Sequence, residues 1–234
     1  ALGARVNNKM VGNQGDFACF SFHAQKNITT LGEGGMLLFK DKKLMKTLTQ
    51  MRHNGHCEFN FKRKNYWVPA MGNLDFELKN KWPYKFTLSE IQCAAGIRLL
   101  KKINQFNSLR IQRAKKAIKE WSSLKELSFN KNFLNKRHVY HLLSAYVDPS
   151  KKINRDKLIR TLFHKYKIKC AVQYIPLNRY PLFKKNGFGK SKCPNADKFY
   201  DNMISFPFHI WMSDSHFNYL INSVKKAVLE LRND

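Results

Sequence analysis

Acidic side chains are scarce in this chain. Its 234 residues carry 16 aspartates and glutamates against 43 lysines and arginines, a formal net charge of +27. Such a surplus makes nucleic acid the first partner to consider. No RNA- or DNA-binding motif accompanies it, and the basic residues are spread out, densest at Arg113–Lys119 and Lys184–Lys192. A general bias toward lysine and asparagine, or a substrate carrying a diphosphate, accounts for the charge equally well. Charge by itself speaks to solubility and nonspecific binding, so a dedicated nucleic-acid role is not the one expected. Long apolar runs are missing too: nothing spans a bilayer, and nothing reads as a cleavable leader. The five cysteines, Cys19, Cys57, Cys93, Cys170 and Cys193, are odd in number, scattered and free of any CxxC. That excludes a disulfide framework and a zinc knuckle, and it fits a reducing cytoplasm.

What is present suffices for one large or two small domains, since 43% of the residues are hydrophobic. The most informative stretch is Gly15–Met36, GDFACFSFHAQKNITTLGEGGM. Phe17–Phe22 is an apolar run that reads as a buried strand. A loop with Gly32, Gly34 and Gly35 follows, then a second apolar run, Met36–Phe39. Lys26 between them is expected to be held in place at the end of the first strand. Partial desolvation and fixed neighbours lower a lysine pKa and free the amine to attack a carbonyl. Schiff-base chemistry with pyridoxal phosphate needs that property. On spacing alone, a lysine near glycines is more often a solvated loop residue.

The segment FSFHAQKNITTLGEGGM resembles the cofactor-lysine segment of the DegT/DnrJ/StrS sugar aminotransferases. The resemblance implies that Lys26 forms the Schiff base with pyridoxal 5'-phosphate and that Ser21 binds the cofactor phosphate. His23 lies between them and is assigned to the substrate. Upstream, ALGARVNNKMVGNQGD reads as a hairpin turning at Asn7–Asn8. In the family a similar ALGA segment follows an acidic EDxAQ-like motif whose aspartate pairs with the cofactor's pyridine nitrogen. The resemblance therefore implies that the N-terminal part of the large domain is absent, and that the chain is a fragment.

Asp41–Arg52 is expected to be a helix, capped by Asp41, with Leu44, Leu48 and Met51 on one face and a stop at Asn54–Gly55. His53, His56 and Cys57 invite a metal site, but no fourth ligand with recognisable spacing is visible; a polar loop is expected, and no metal. Glu58–Tyr84 reads as a long loop with one short strand. It leads into WPYKFTLSEIQCAAGIRLL, where Thr87 or Ser89 caps a helix apolar at Ile91, Ala94, Ala95 and Leu99. This segment resembles the family's second signature, a loop that reaches across a dimer interface toward the partner's cofactor phosphate. Lys85 holds the matching position; Pro83 stands where the family has glycine. A surface lysine preceding a helix is the alternative.

Lys101–Trp121 reads as helical with a bend near Gln105–Ser108 and an apolar stripe at Leu109, Ile111, Ala114, Ile118 and Trp121. Strands are expected at Leu127–Phe129, Val139–Val147 and Lys169–Tyr174, and helices at Asn154–Tyr166 and Ser213–Leu231. RHVYHLL, with His138 and His141, resembles the family's YHL segment, and both histidines read as strand residues without chemistry. VQYIPLNRYPLF resembles the HYxPLH-type segment that approaches the substrate, which brings in Tyr174. CPNADKFYDNMISFPFH resembles the family's FPNAE helix and the strand after it.

The expected fold is α/β: part of a fold-type-I PLP-dependent transferase large domain, a mixed sheet with helices, over residues 1–96. A linking helix at 97–123 and a small α+β C-terminal domain at 124–234 follow. The activity implied is transfer of an amino group, from a donor such as glutamate, to a nucleotide-linked keto-sugar in a cytoplasmic homodimer. Lys26 then moves the proton between substrate and cofactor carbons. The competing readings are a truncated, non-catalytic remnant of the fold and a basic nucleic-acid-binding protein.

Overall fold

The computed structural model describes residues 1–57, 67, 70–76, 78–130 and 135–233. In chain order the strands are β1 (Arg5–Val6), β2 (Lys9–Met10), β3 (Phe17–Ser21), β4 (Gly35–Phe39), β5 (Leu127–Ser128), β6 (Lys136–Arg137), β7 (Leu143–Val147) and β8 (Met203–Phe206). The α-helices are α1 (Met45–Arg52), α2 (Glu90–Leu100), α3 (Ile103–Glu120), α4 (Arg155–His164), α5 (Pro181–Lys185), α6 (Pro194–Asn202) and α7 (Asp214–Asn233). Among the described residues no helix is long and apolar enough to cross a membrane. The chain forms two compact units. One holds Ala1, Gly3–Asn8 and Asn104–Asp234; the other holds Leu2 and Lys9–Ile103.

The unit containing Lys9–Ile103 is built on β3 and β4, antiparallel from Phe17↔Phe39 to Ser21↔Gly35. Among the described residues these strands pair only with each other. Phe17 (53% exposed), Met36, Leu37 and Leu38 are consequently open to solvent. The expected buried strand is thus a strand but not a buried one, because a two-stranded ribbon has no further layer to cover it. Helix α1 starts as expected: Asp41 Oδ1 accepts from the Lys43 N–H at 2.9 Å, and a short 3₁₀ turn over Lys42–Leu44 leads in. It ends where Asn54 (φ 50°) and Gly55 (φ 80°) turn left-handed and the Gly55 N–H returns to Gln50 O at 2.8 Å. Helix α2 carries a full capping box. Ser89 Oγ accepts from the Gln92 N–H, and Gln92 Oε1 accepts from the Ser89 N–H. Its apolar residues are not core: Ile91 and Ile97 are exposed. Of the loop expected at Glu58–Tyr84, residues 58–66, 68, 69 and 77 lie outside the described residues.

The second unit owns the core. Strands β5, β7 and β8 form an antiparallel sheet in that order, pairing Leu127↔Val147 and Leu143↔Phe206 at its ends. Leu143, Ala145 and Val147 face inward by alternation, against Leu158 and Leu162 of α4 and Phe217, Leu220, Ile221, Val224 and Val228 of α7. Each of these valine, leucine, isoleucine and phenylalanine side chains contributes about 1.5–3 kcal/mol on burial. Trp121 is completely buried, and its Nε1–H donates to Ile221 O at 3.0 Å. Arg232 closes the end of α7 by gripping Glu126 with Nε (2.8 Å) and Nη2 (2.9 Å). Strands β1 and β6 pair antiparallel, Arg5↔Arg137 and Val6↔Lys136.

Three expectations fail here. Helix α3 runs unbroken through Gln105–Ser108. The interruption falls earlier, at Lys101–Lys102, where the last turn of α2 tightens and the Lys102 N–H bonds Leu99 O at 3.0 Å. The strand expected from Val139 begins only at Leu143. Tyr140 takes φ 48°, with its N–H on His138 Nδ1 at 3.1 Å, and forms a turn instead. Lys169–Tyr174 is no strand. Ala171 makes one bridge to Ser205, after which the Gln173 N–H points to Met203 Sδ and not to a carbonyl.

Candidate active site

The site begins where β3 ends. Ser21 is the last strand residue; Phe22 then ties back to the glycine segment, its N–H donating to Gly34 O at 2.7 Å and its carbonyl accepting from the Thr30 N–H at 2.9 Å. His23–Lys26 is a tight turn closed by the Lys26 N–H on His23 O at 2.9 Å. Lys26 therefore lies in this turn, five positions past Ser21, and not at the strand end as expected. It is half-buried. Among the described residues no acidic side chain stands within ion-pair distance of it, so nothing there commits its amine to a salt bridge.

The glycines work by leaving space. Neither Gly34 nor Gly35 is left-handed. A Cβ on Gly34 would run into Thr30 Oγ1 and stand 3.0 Å from Leu88 Cδ2, and one on Gly35 would stand 2.9 Å from Phe20 O. The left-handed residue of this loop is Leu31 (φ 65°), exposed to solvent. Thr30, which the sequence reading passed over, is 2% exposed and forms the floor beneath Gly34. Gln92 was also missed as a site residue. Besides capping α2, its Nε2 donates to Glu33 O at 3.2 Å and so anchors the glycine segment. The S-x-x-Q spacing was its visible signal; the second bond was not.

Ser21, His23 and Lys26 are therefore brought together in one short stretch. Ser21 Oγ accepts from the His23 N–H at 3.4 Å, which leaves its own proton free to donate. His23 Nδ1 accepts from the Gln25 N–H at 3.2 Å, and His23 Nε2 stands 3.6 Å from Glu33 Oε1. Lys85 is held separately, at the end of α1. It bridges His53 in antiparallel fashion, flanked by the Tyr84 N–H on Met51 O and the Phe86 N–H on Arg52 O. The Lys85 side chain is exposed. The cluster is electropositive: burial first, then His56, Lys85 and Arg52, push the His53 pKa below its ordinary value. Tyr174, 68% exposed, belongs to the other unit.

Among the described residues no three His, Cys, Asp or Glu side chains are placed to hold a metal. His56 and Cys57 are engaged with Asn73 instead: His56 Nδ1 lies 3.1 Å from Asn73 Oδ1, and Cys57 Sγ donates to Asn73 O at 3.0 Å.

A hydroxyl with a free proton and a lysine amine without an acidic partner are the donor set that an aldehyde-bearing phosphate requires. The residues present fit pyridoxal phosphate on that ground. The chain is similar to several known proteins. A transaminase of Campylobacter jejuni, UDP-4-amino-4,6-dideoxy-N-acetyl-beta-L-altrosamine transaminase, is 31% identical over 209 residues, covering 89% of this chain and 51% of its own. The solved structure of Helicobacter pylori PseC, an aminotransferase involved in the biosynthesis of pseudoaminic acid, superposes with a TM-score of 0.82 at 26% identity over 98% of this chain and 58% of its own. A Streptococcus pneumoniae protein solved in PMP- and PLP-forms superposes with TM-scores of 0.84 and 0.80 at 23% identity. It is covered over 57% and 56% of its length, against 99% of this chain. The chain spans little more than half the length of the curated relatives it matches. The fold is that of the fold-type-I PLP-dependent sugar aminotransferases. Residues 1–225 match one family throughout, and the chain belongs to the DegT/DnrJ/EryC1/StrS aminotransferase family.

Proposed function

We propose that this chain carries the lysine-bearing part of a pyridoxal-phosphate-dependent aminotransferase that moves an amino group onto a nucleotide-linked keto-sugar. The observation that carries the reading is the turn after β3, which sets the proton-bearing Ser21 hydroxyl and the half-buried, acid-free Lys26 amine on one short segment. When bound, the cofactor supplies an aldehyde that accepts an amine and an electron sink that labilises a proton on the neighbouring carbon. The chain's own residues do the rest. Lys26 Nζ is the nucleophile that fixes the cofactor and, once released, the base that carries the proton from one carbon to the other. Ser21 donates its hydroxyl proton to the phosphate. Lys85, exposed beside Arg52 and His53, offers a second cation to a phosphate, in the manner its segment suggests for a partner subunit. Tyr174 is assigned to the substrate. A nucleotide sugar is favoured because the Campylobacter jejuni relative is named for one. The amino donor, glutamate, the homodimer and a cytoplasmic setting belong to the same reading.

The test is capture. The chain is incubated with pyridoxal phosphate, reduced with borohydride and digested, and the modified peptide is identified by mass. The adduct is expected on Lys26, with Lys26→Ala abolishing it. An adduct distributed over other lysines, unchanged by Lys26→Ala, would refute the assignment.

A further inference from the structure

More connections meet at His23 than at any other residue of the Lys26 turn. Its backbone N–H donates to Ser21 Oγ (3.4 Å), its backbone carbonyl accepts from the Lys26 N–H (2.9 Å), and it bridges Gly32 in parallel fashion. Its ring Nδ1 accepts from the Gln25 N–H (3.2 Å), while Nε2 faces Glu33 at 3.6 Å. These connections differ in strength. Glu33 is 88% exposed, so its approach to Nε2 is screened and contributes little. The Nδ1 bond runs from a side-chain acceptor to the amide two residues on, the pattern by which aspartate and asparagine hold turns. With Nδ1 taken up by the Gln25 N–H, that nitrogen is not free for a substrate.

We infer that His23 is the positioning residue of this site. Through Nδ1 and the Gln25 amide it sets the turn that presents Lys26, and through its own amide it aims the Ser21 hydroxyl. The inference rests on the reading of Lys26 and Ser21 as cofactor-binding, and it replaces substrate contact as the role of His23. Asparagine places Oδ1 where histidine has Nδ1, whereas glutamine reaches toward the Nε2 position. The two substitutions therefore separate the turn-holding bond from the Glu33 contact.

Two readouts are compared in the full chain for His23→Ala, His23→Gln and His23→Asn. The first, made without cofactor, is amide exchange of Gln25 and Lys26 by NMR. The second is the rate at which pyridoxal phosphate and borohydride fix a label on Lys26. Alanine and glutamine are expected to speed exchange at Gln25 and Lys26 roughly two- to tenfold, the scale of one neutral hydrogen bond, and to slow labelling. Asparagine restores most of both. Asparagine behaving like alanine, or alanine leaving both readouts unchanged, overturns the inference. Should the parent chain take no label at Lys26, the functional reading falls, and the exchange series alone still decides whether Nδ1 holds the turn.

Discussion

Arg110 offers the most demanding check on how the C-terminal unit is held together. Its residue is 6% exposed, midway along α3, with no carboxylate against it among the described residues. The guanidinium instead donates Nε to Tyr140 O (3.0 Å) and Nη2 to His141 O (2.8 Å) and Phe208 O (3.4 Å), and lies 4.8 Å from the centre of the Phe208 ring. Burial pushes its pKa down to about 10. It is therefore still charged at neutral pH, and the bonds are charge-assisted. Two such bonds of good length contribute about 3–6 kcal/mol before the cost of burying the charge, and the third lies at the long limit. Taking the charge out of water offsets part of this. Arg110→Met keeps the apolar stem and removes the donors, and it is expected to cost about 2–4 kcal/mol. Arg110→Lys recovers at most one bond, because a single ammonium cannot fork toward three carbonyls. The assay is native-state hydrogen exchange at the Leu158 and Val224 amides, both in the core of this unit, which reads its opening free energy without involving the other unit. A Met variant within about 0.5 kcal/mol of the parent would show that the carbonyls find equivalent partners and that the reasoning is wrong.

Other outcomes are expected on the same grounds. Gly34→Ala should destabilise the Lys9–Ile103 unit and slow labelling of Lys26, because the new Cβ meets Thr30 Oγ1 and Leu88; unchanged melting would mean the loop shifts freely. Leu31→Gly should stabilise that unit by about 0.5–1 kcal/mol, since φ 65° strains a leucine and not a glycine, as denaturant unfolding would reveal. Ser21→Ala should weaken pyridoxal phosphate binding by about 1–3 kcal/mol with the fold intact, read by absorbance titration. The C-terminal unit should lose stability on acidification in two steps. Burial lowers the His138 pKa, so the unfolded chain takes up that proton first and stability falls from about pH 6.5 downward. The carboxylates of Glu120, Asp201 and Glu230, held low by Lys225, Arg179 and Lys165, and that of Glu126, where two bonds from Arg232 outweigh burial, add a second loss as pH drops through their folded pKa values. His138→Asn, which keeps the acceptor for the Tyr140 N–H, should remove only the first step in a pH series of unfolding curves.

Local chemistry was legible wherever one or two residues decide it. Asn7 and Asn8 take φ 48° and 60°, Asn54 and Gly55 end α1, and Ser89, one of the two caps expected, opens α2. The apolar stripe of α3 was only half legible. Ala114 and Trp121 are fully buried, but the same face also buries Asn107 and Arg110, which a hydrophobic pattern assigns to solvent. A bend was expected near Gln105–Ser108. The helix instead runs unbroken, and Arg110 is buried because it meets carbonyls from Tyr140, His141 and Phe208, distant in sequence. No local pattern announces a partner thirty or more positions away.

The site illustrates the same division. The order Ser21, His23, Lys26 and the glycines after it were plain in the sequence, and the structure sets Ser21 at the end of β3 with His23 and Lys26 in the turn that follows. The physical reasons were not the ones that order suggested. The lysine was expected at the end of a buried strand, but β3 is exposed and Lys26 sits in the turn beyond it. The glycines read only as a loop; in the structure Gly34 and Gly35 supply room, and a leucine takes the left-handed angle. Glycine has two uses, permissive φ and close approach, and a sequence cannot separate them because both follow from the missing Cβ. What separates them is the neighbour: Thr30, 2% exposed, lies against Gly34 and leaves no space for a Cβ. The turn that presents Lys26 is thus held by the ring of His23 within it, and the glycine segment behind it by Thr30 against Gly34 and by Gln92 from α2. Substitutions at those three positions should alter Lys26 more than changes to the residues on either side of it.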